Sequence, residues 1–171
     1  RQMCIRDRPK DTNALASAFT MKGRDRQVPN PLVDKHVVLG VTGSVACHKA
    51  VDLASKLAQA GAGVDVVMTE NASRFVSPLA FQSITHRPVI TNIFDPSSTE
   101  SISHISIAER SDILVVAPAT ANTLAKIALG IADDALTTTV LATNAPIIVC
   151  PAMDGYMYEN QVTQQHIKTL M

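Results

Sequence analysis

The sequence predicts an α/β fold in which a parallel β-sheet is covered by α-helices on both faces. From His36 onwards, short apolar runs alternate with segments of helical periodicity. The apolar runs have no polar face, which is typical of parallel strands buried on both sides. Hydrophobic residues make up 46% of the 171-residue chain and aromatic residues only 4%, so a single aliphatic core is expected.

Four strands and the helices between them are predicted in chain order. The strands are the apolar runs HVVLGVT (36–42), VDVVMT (64–69), DILVVAPA (112–119) and APIIVC (145–150). After the first strand, Ala50, Leu53 and Leu57 recur at helical spacing, and Gly61 marks the end of that helix. Pro78 is placed to begin a helix in the next connection. Later helices are predicted in 104–111, in 121–130, in 133–144 with Asp133 or Asp134 as the N-cap, and in 158–171.

The first 33 residues differ from the rest of the chain. They are charged and aperiodic, and they are interrupted by Pro9, Pro29 and Pro31. We expect a disordered or extraneous leader over 1–33, with Met21 as an alternative start, followed by one domain over 34–171.

Composition and charge exclude several classes of function. Lys and Arg together number 15, as do Asp and Glu, so no net charge favours nucleic acid or an anionic membrane. The three cysteines lack the paired spacing of a disulfide framework or a zinc site, and no other metal motif is present. No apolar run approaches the roughly 18 residues of a membrane span, and no secretory signal is recognisable. We therefore expect a cytoplasmic protein without a metal.

Unusual polar stretches follow the predicted strands, namely TGSVA, TENAS, APATANT and CPAMDG. The carboxyl ends of parallel strands meet at one edge of a sheet, where α/β proteins bind their ligands. Gly43, Ser44 and Val45 lie where a helix begins and favour a phosphate, although an ordinary strand-to-helix turn explains them equally well. The polar residues of 120–123 offer more groups than an N-cap needs, which favours a phosphate or a polyol chain.

His104 precedes the third predicted strand, among small polar residues. An imidazole is the natural proton-transfer group near neutral pH, so His104 is a candidate acid/base residue. The alternative is that His104 is a partly exposed helix residue whose ring donates a hydrogen bond to a backbone carbonyl.

Four stretches taken together resemble the flavin-dependent cysteine decarboxylases, above all the phosphopantothenoylcysteine decarboxylases found in the N-terminal part of a bifunctional coenzyme A biosynthesis protein. They are GVTGSVACHKA, VVMTENASRFV, HISIAERSDILVVAPATANTLAKIALGIADD and APIIVCPAMDGYMYEN. The resemblance runs from His36 to the last residue. It implies a Rossmann-like, flavodoxin-type sheet, FMN as cofactor, and homotrimers or assemblies of trimers with the site at a subunit interface.

The resemblance also implies an activity and individual roles. The activity is that of a carboxy-lyase: the flavin oxidises the cysteinyl thiol to a thioaldehyde, carbon dioxide leaves, and the reduced flavin and a proton donor restore the thiol. His104 is implied as the catalytic acid/base group, and Asp154 and Met157 as substrate contacts. The implied FMN-binding residues are Gly43, Ser44, Val45, Thr69, Glu70, Asn71, Thr120, Ala121, Asn122, Thr123 and Ala152.

Two departures from the family pattern bear on these roles. Asp154 stands where the family has Asn, and Tyr158 where it has Trp. An ionised carboxylate repels a substrate carboxylate that an amide would bind. The family's substrate flap, with its cysteine, lies beyond Met171, so a C-terminally truncated domain is expected. The alternative functions are a peptidyl-cysteine decarboxylase of the lantibiotic type and a non-catalytic FMN-binding regulatory subunit.

Overall fold

A computed structural model describes residues 30–92 and 104–171. In these two stretches, strands and helices alternate as the sequence predicts. The strands are β1 (His36–Val41), β2 (Gly63–Met68), β3 (Val89–Ile90), β4 (Ile113–Ala119) and β5 (Ile147–Pro151). The helices are α1 (Cys47–Gln59), α2 (Glu70–Ser73), α3 (Pro78–Thr85), α4 (His104–Arg110), α5 (Ala121–Leu129), α6 (Ala135–Ala142), α7 (Gly155–Glu159) and α8 (Gln161–Leu170).

Most of the predicted leader, up to residue 29, lies outside the described residues, as do residues 93–103 between β3 and α4. Residues 31–34 form a turn against the end of α1, where the Leu32 N–H donates a hydrogen bond to the Ala60 carbonyl at 3.1 Å. Within the described stretches, no helix combines the length and apolar character needed to cross a bilayer.

The strands form one parallel sheet in the order β3-β2-β1-β4-β5. This confirms the predicted α/β class and the parallel arrangement. The sequence prediction omitted β3, which pairs Val89 with Val66 and Ile90 with Val67. A two-residue strand is too short to show a periodic pattern, so it becomes recognisable only through its pairing with β2.

Side chains of β1 divide between two cores, one on each face of the sheet. Val38 belongs to a cluster with residues of α4, α5 and α6, such as Leu124 and Leu136. Leu39 belongs to the other cluster, with residues of α1, α2 and α3 that include Phe81. This alternation follows from the two-residue period of a strand, and it confirms that helices cover both faces.

β5 contradicts the prediction that every strand is buried on both sides. Ile147 and Ile148 are 39% and 49% exposed. Among the described strands, β5 lies at the edge of the sheet and pairs only with β4. An apolar run predicts a strand, but the number of neighbours that cover it depends on distant parts of the chain.

Asp112 holds β4 to β1 at the amino edge of the sheet. The His36 N–H donates to Asp112 Oδ2 at 2.8 Å, and the Asp112 N–H donates to the His36 carbonyl at 2.8 Å. The Lys35 ammonium lies 3.0 Å from Asp112 Oδ1. The hydrogen bond from the His36 N–H, together with that from Lys35, holds the pKa of the Asp112 carboxyl below its ordinary value of 3.8.

We expect the Asp112→Asn substitution to destabilise the protein at neutral pH and to matter less in acid. Because the pKa is lowered in the folded state, the carboxylate stabilises the fold above its unfolded pKa, and this contribution is lost as the pH falls below 3.8. Urea unfolding of both proteins at pH 7 and at pH 3 measures the difference.

The matched control is Asp52→Asn, which removes an exposed carboxylate paired with Lys56 within α1. It should change the free energy of unfolding little at either pH. An Asp112→Asn effect of the same size at pH 3 and pH 7 would contradict the assigned role.

Candidate functional site

Backbone hydrogen bonds continue past the strand ends at the carboxyl edge. The Thr69 N–H donates to the Val41 carbonyl at 3.0 Å, the Thr42 N–H to the Pro118 carbonyl at 3.3 Å, and the Ala152 N–H to the Ala119 carbonyl at 2.9 Å. The turns that follow β2, β1, β4 and β5 therefore lie side by side in that order. We call these four turns, residues 69–71, 42–45, 120–123 and 152–157, the carboxyl rim.

Gly43 allows the first two turns of the carboxyl rim to meet. A Cβ atom at Gly43 would lie 2.6 Å from Asn71 Cβ and 3.0 Å from the Asn71 carbonyl carbon. Backbone cannot move aside as a flexible side chain does. The glycine is therefore required for contact within the protein, whereas the sequence suggested only close approach to a ligand.

The N-terminus of α1 differs from those of the other helices. Among the helices whose N-cap the structure describes, α1 is the one without a side-chain cap, and its first turn has no acidic residue. Ser44 Oγ accepts a long hydrogen bond, 3.3 Å, from the Ala46 N–H, and Val45 is 78% exposed. The Cys47 and Lys49 N–H groups donate to the Ser44 and Ala46 carbonyls. What suits an anion here is the positive end of a 13-residue helix without a side-chain cap.

The turn after β2 places Glu70 and Asn71 at the surface, and Thr69 is half-buried as the N-cap of α2. Next to it, a cleft of about 450 Å³ is lined by Glu70, Ser73, Thr91, Asn92, Asp133, Asp134 and Ala135. Ser73 Oγ is buried and has no hydrogen-bond partner among the described residues. The cleft therefore extends the carboxyl rim towards β3 and α6.

The turn after β4 uses two of its polar groups for its own helix. Thr120 Oγ1 accepts from the Thr123 N–H at 3.3 Å, and the two hydroxyl oxygens lie 3.1 Å apart. Thr123 is buried, Ala121 is half-buried and Asn122 is exposed. The N-cap explanation thus accounts for both threonines, and Asn122 presents the exposed polar side chain of this turn.

Asp154 caps α7, because its Oδ1 accepts from the Tyr156 N–H at 2.9 Å. Met153 packs against the core on the α5 face, whereas Met157 is 50% exposed. Ala152 is half-buried where its N–H donates to the carbonyl of Ala119, the last residue of β4. This segment consequently offers a carboxylate and an apolar side chain at the end of the carboxyl rim.

His104 is the first residue of α4, and its side chain lies outside what the structure describes. The Ala108 carbonyl, near the end of α4, accepts from Thr143 Oγ1 at 3.1 Å, and Thr143 follows α6 on the way to β5. The end of α4 therefore lies towards the amino edge, so α4 begins towards the carboxyl edge. This direction agrees with the role expected for His104, which stays a prediction.

Asp133 and Asp134 serve the start of α6. Asp134 Oδ1 accepts from the Thr137 N–H at 2.8 Å, which confirms the predicted capping. Lys126 Nζ lies 2.7 Å from Asp133 and 3.2 Å from Asp134. Its hydrogen bond holds the pKa of Asp133 below the usual range and, with the second one to Asp134, raises the pKa of Lys126. No group of three potential metal-ligating residues occurs in the described ranges.

Sequence reasoning missed Thr42, which is only 1% exposed. Its Oγ1 donates to the Pro118 carbonyl at 2.7 Å and accepts from the Thr120 N–H at 3.0 Å. A threonine at the end of an apolar run is simply typical of a strand. The available signal was its position directly before Gly43, at the point where a ligand-binding turn was expected.

Comparison with known proteins finds that the Flavoprotein family matches residues 25–171. The coenzyme A biosynthesis bifunctional protein CoaBC of Bacillus subtilis is 49% identical over 139 residues, which cover 81% of this chain and 34% of CoaBC. The chain therefore spans about a third of the length of the curated relatives that it matches.

Solved structures with the same fold include the FMN-dependent cysteine decarboxylase SpaF. It is 31% identical, with a TM-score of 0.74 over 80% of this chain and 78% of SpaF. A PPC decarboxylase mutant complexed with pantothenoylaminoethenethiol is 32% identical, with a TM-score of 0.70 over 80% of this chain and 76% of that one.

We expect Gly43→Ala to destabilise the protein by about 1–3 kcal/mol, because the new methyl group would lie 2.6 Å from Asn71 Cβ and 3.0 Å from the Asn71 carbonyl carbon. Gly155→Ala is the control, since a Cβ atom there meets nothing within 4 Å. Chemical unfolding of the three proteins measures the difference. Equal stability of Gly43→Ala and the unsubstituted protein would show that the two turns separate at no cost.

Proposed function

This chain belongs to the Flavoprotein family, and from that premise we propose that it catalyses the FMN-dependent decarboxylation of phosphopantothenoylcysteine to phosphopantetheine, a step of coenzyme A biosynthesis. Its similarity to CoaBC and to a PPC decarboxylase supports this proposal. The observation that carries it is the carboxyl rim, in which the predicted FMN-binding turns are hydrogen-bonded neighbours at one edge of the sheet.

The residues of the carboxyl rim fit FMN. The uncapped start of α1 suits a phosphate, and Gly43, Ser44 and Val45 would hold it with backbone N–H groups and a hydroxyl. Asn122, with the threonines and alanine of its turn, would bind the ribityl chain. Residues 69–71, after β2, and Ala152, after β5, would line the ring from either side of the β1 and β4 turns.

Bound FMN would oxidise the substrate thiol so that carbon dioxide can leave, and would then return the electrons. The protein's own part is orientation and proton transfer. His104 would move protons at the thiol and carboxylate of the substrate, as its position at the start of α4 allows. Asp154 and Met157, which are both exposed on the carboxyl rim, would contact the substrate.

We also propose that the protein forms homotrimers, or assemblies of trimers, with the site at a subunit interface. Large apolar side chains are exposed around β5 and α7, which supports the proposal: Ile147, Ile148, Tyr156, Met157 and Tyr158. A monomer rarely leaves so many apolar groups together at its surface.

Similarity to SpaF supports a second candidate, the decarboxylation of a peptidyl cysteine, because SpaF is a cysteine decarboxylase with the same fold and 31% identity. Asp154 does not separate the two candidates, since both substrates carry a cysteine carboxylate that an ionised Asp154 would repel. Measuring carbon dioxide release from phosphopantothenoylcysteine and from a peptide with a C-terminal cysteine distinguishes the two substrates.

The purified protein should be yellow and should release FMN on denaturation, and it should release carbon dioxide from phosphopantothenoylcysteine. His104→Asn should lower kcat by roughly 10²- to 10⁴-fold while FMN stays bound, because proton transfer is lost and the fold is kept. A protein that never takes up FMN would refute the proposal for the cofactor.

The matched control is His86→Asn. His86 is exposed after α3 and has a positive φ of 56°, which asparagine tolerates. Activity should be unchanged in this variant. Full activity of His104→Asn would rule out the role given to His104.

Asp154→Asn should lower the KM for phosphopantothenoylcysteine by about five-fold, since roughly 1 kcal/mol of charge repulsion in a water-like environment is removed. Asparagine keeps an oxygen that can cap α7, so the fold should be retained. Glu159→Gln, which removes a charge from the other end of α7, should leave the KM unchanged. Equal KM values for all three proteins would reject repulsion by Asp154.

A further inference from the structure

Thr42 joins two turns of the carboxyl rim through a single hydroxyl. It follows the last residue of β1 and is almost completely buried. The Oγ1 atom donates to the Pro118 carbonyl at 2.7 Å and accepts from the Thr120 N–H at 3.0 Å. Both partners belong to the end of β4 and the turn after it, so this hydroxyl makes no contact that is local in sequence.

The hydroxyl replaces a bond that the backbone cannot make. Regular pairing of β1 with β4 ends at Gly40 and Val116. One backbone bond follows, from the Thr42 N–H to the Pro118 carbonyl at 3.3 Å, but Pro118 has no N–H with which to return a bond to β1. Thr42 Oγ1 instead accepts a hydrogen bond from the Thr120 N–H, which lies further towards the carboxyl edge.

The position of this bond matters because each partner begins a predicted binding turn. Thr42 directly precedes Gly43 and the start of α1, which no side chain caps. Thr120 is the N-cap of α5. The bond between the hydroxyl and the Thr120 N–H therefore fixes the distance between the turn expected to hold the phosphate and the turn expected to hold the ribityl chain.

We infer that Thr42 is a positioning residue for the cofactor: it holds the 43–45 and 120–123 turns at the spacing that one FMN molecule can span. This inference rests on the proposed function for its ligand. The contact between the two turns is independent of the proposed function, because its hydrogen bond is made within the protein itself.

Thr42→Val tests the inference, because valine keeps the shape and removes both hydrogen bonds. In FMN-free protein, hydrogen exchange at the Thr120 amide should become on the order of ten-fold faster, as expected for one lost hydrogen bond. The Kd for FMN, measured by quenching of flavin fluorescence, should rise on the order of ten-fold. Thr42→Ser keeps the hydroxyl and should stay within about two-fold of the unsubstituted protein on both measurements.

Thr139→Val separates positioning from general stability. Thr139 is equally buried, and its Oγ1 donates to the Ala135 carbonyl at 2.7 Å inside α6. This variant should lose stability without changing the Kd or the exchange of Thr120. If Thr42→Val does not fold, Thr42→Ser and Thr42→Ala form a second pair that differs only in the hydroxyl.

An unchanged Kd and unchanged Thr120 exchange in Thr42→Val would overturn the inference. So would a Kd that rises equally in Thr139→Val, because the effect would then be one of stability alone. Failure of the unsubstituted protein to bind FMN would refute the proposed function instead. Exchange of Thr120 in FMN-free protein would then decide by itself whether Thr42 holds the two turns together.

Discussion

The candidate site depends on the continuation of sheet hydrogen bonding beyond the strand ends. Three backbone bonds, from Thr69, Thr42 and Ala152, carry the parallel pairing into the turns. Parallel strands bring all their carboxyl ends to one edge, and these bonds, together with those of the Thr42 hydroxyl, keep the turns in register with one another. The apolar strands beneath provide the rigid base, since alternate side chains of β1 are buried in two different cores.

The sequence predicted those parts of the fold whose signal is local. β1, β2 and β4 are apolar runs long enough to recognise. Asp133 or Asp134 could be identified as an N-cap from its place before a helical segment, and the structure shows that Asp134 is the cap. β3 has two residues and becomes a strand only through its pairing with β2. The exposure of β5 follows from its place at the edge of the sheet, and a place in the strand order is not encoded in any single run of residues.

The positions of the carboxyl-rim turns could also be predicted, because their signal is local in sequence. The polar stretches at the strand ends were recognisable, and the structure brings them to one rim. The contact between Gly43 and Asn71 and the bonds of Thr42 join residues that are far apart in sequence, so no local pattern could reveal them. At the turn after β4, N-capping of α5 accounts for Thr120 and Thr123 without a ligand, since the two threonines bond to each other. The role of His104 remains a prediction from the resemblance and from the direction of α4.

The open edge of β5 has a consequence for handling the protein at the bench. Within the described part of the chain, the side of this strand away from β4 has no partner strand, and Ile147 and Ile148 lie beside it at the surface. Edges of this kind can pair with strands of other molecules, which leads to aggregation when the protein is concentrated. Sample concentration thus becomes an experimental variable in its own right, and light scattering across a dilution series should accompany every titration of this molecule.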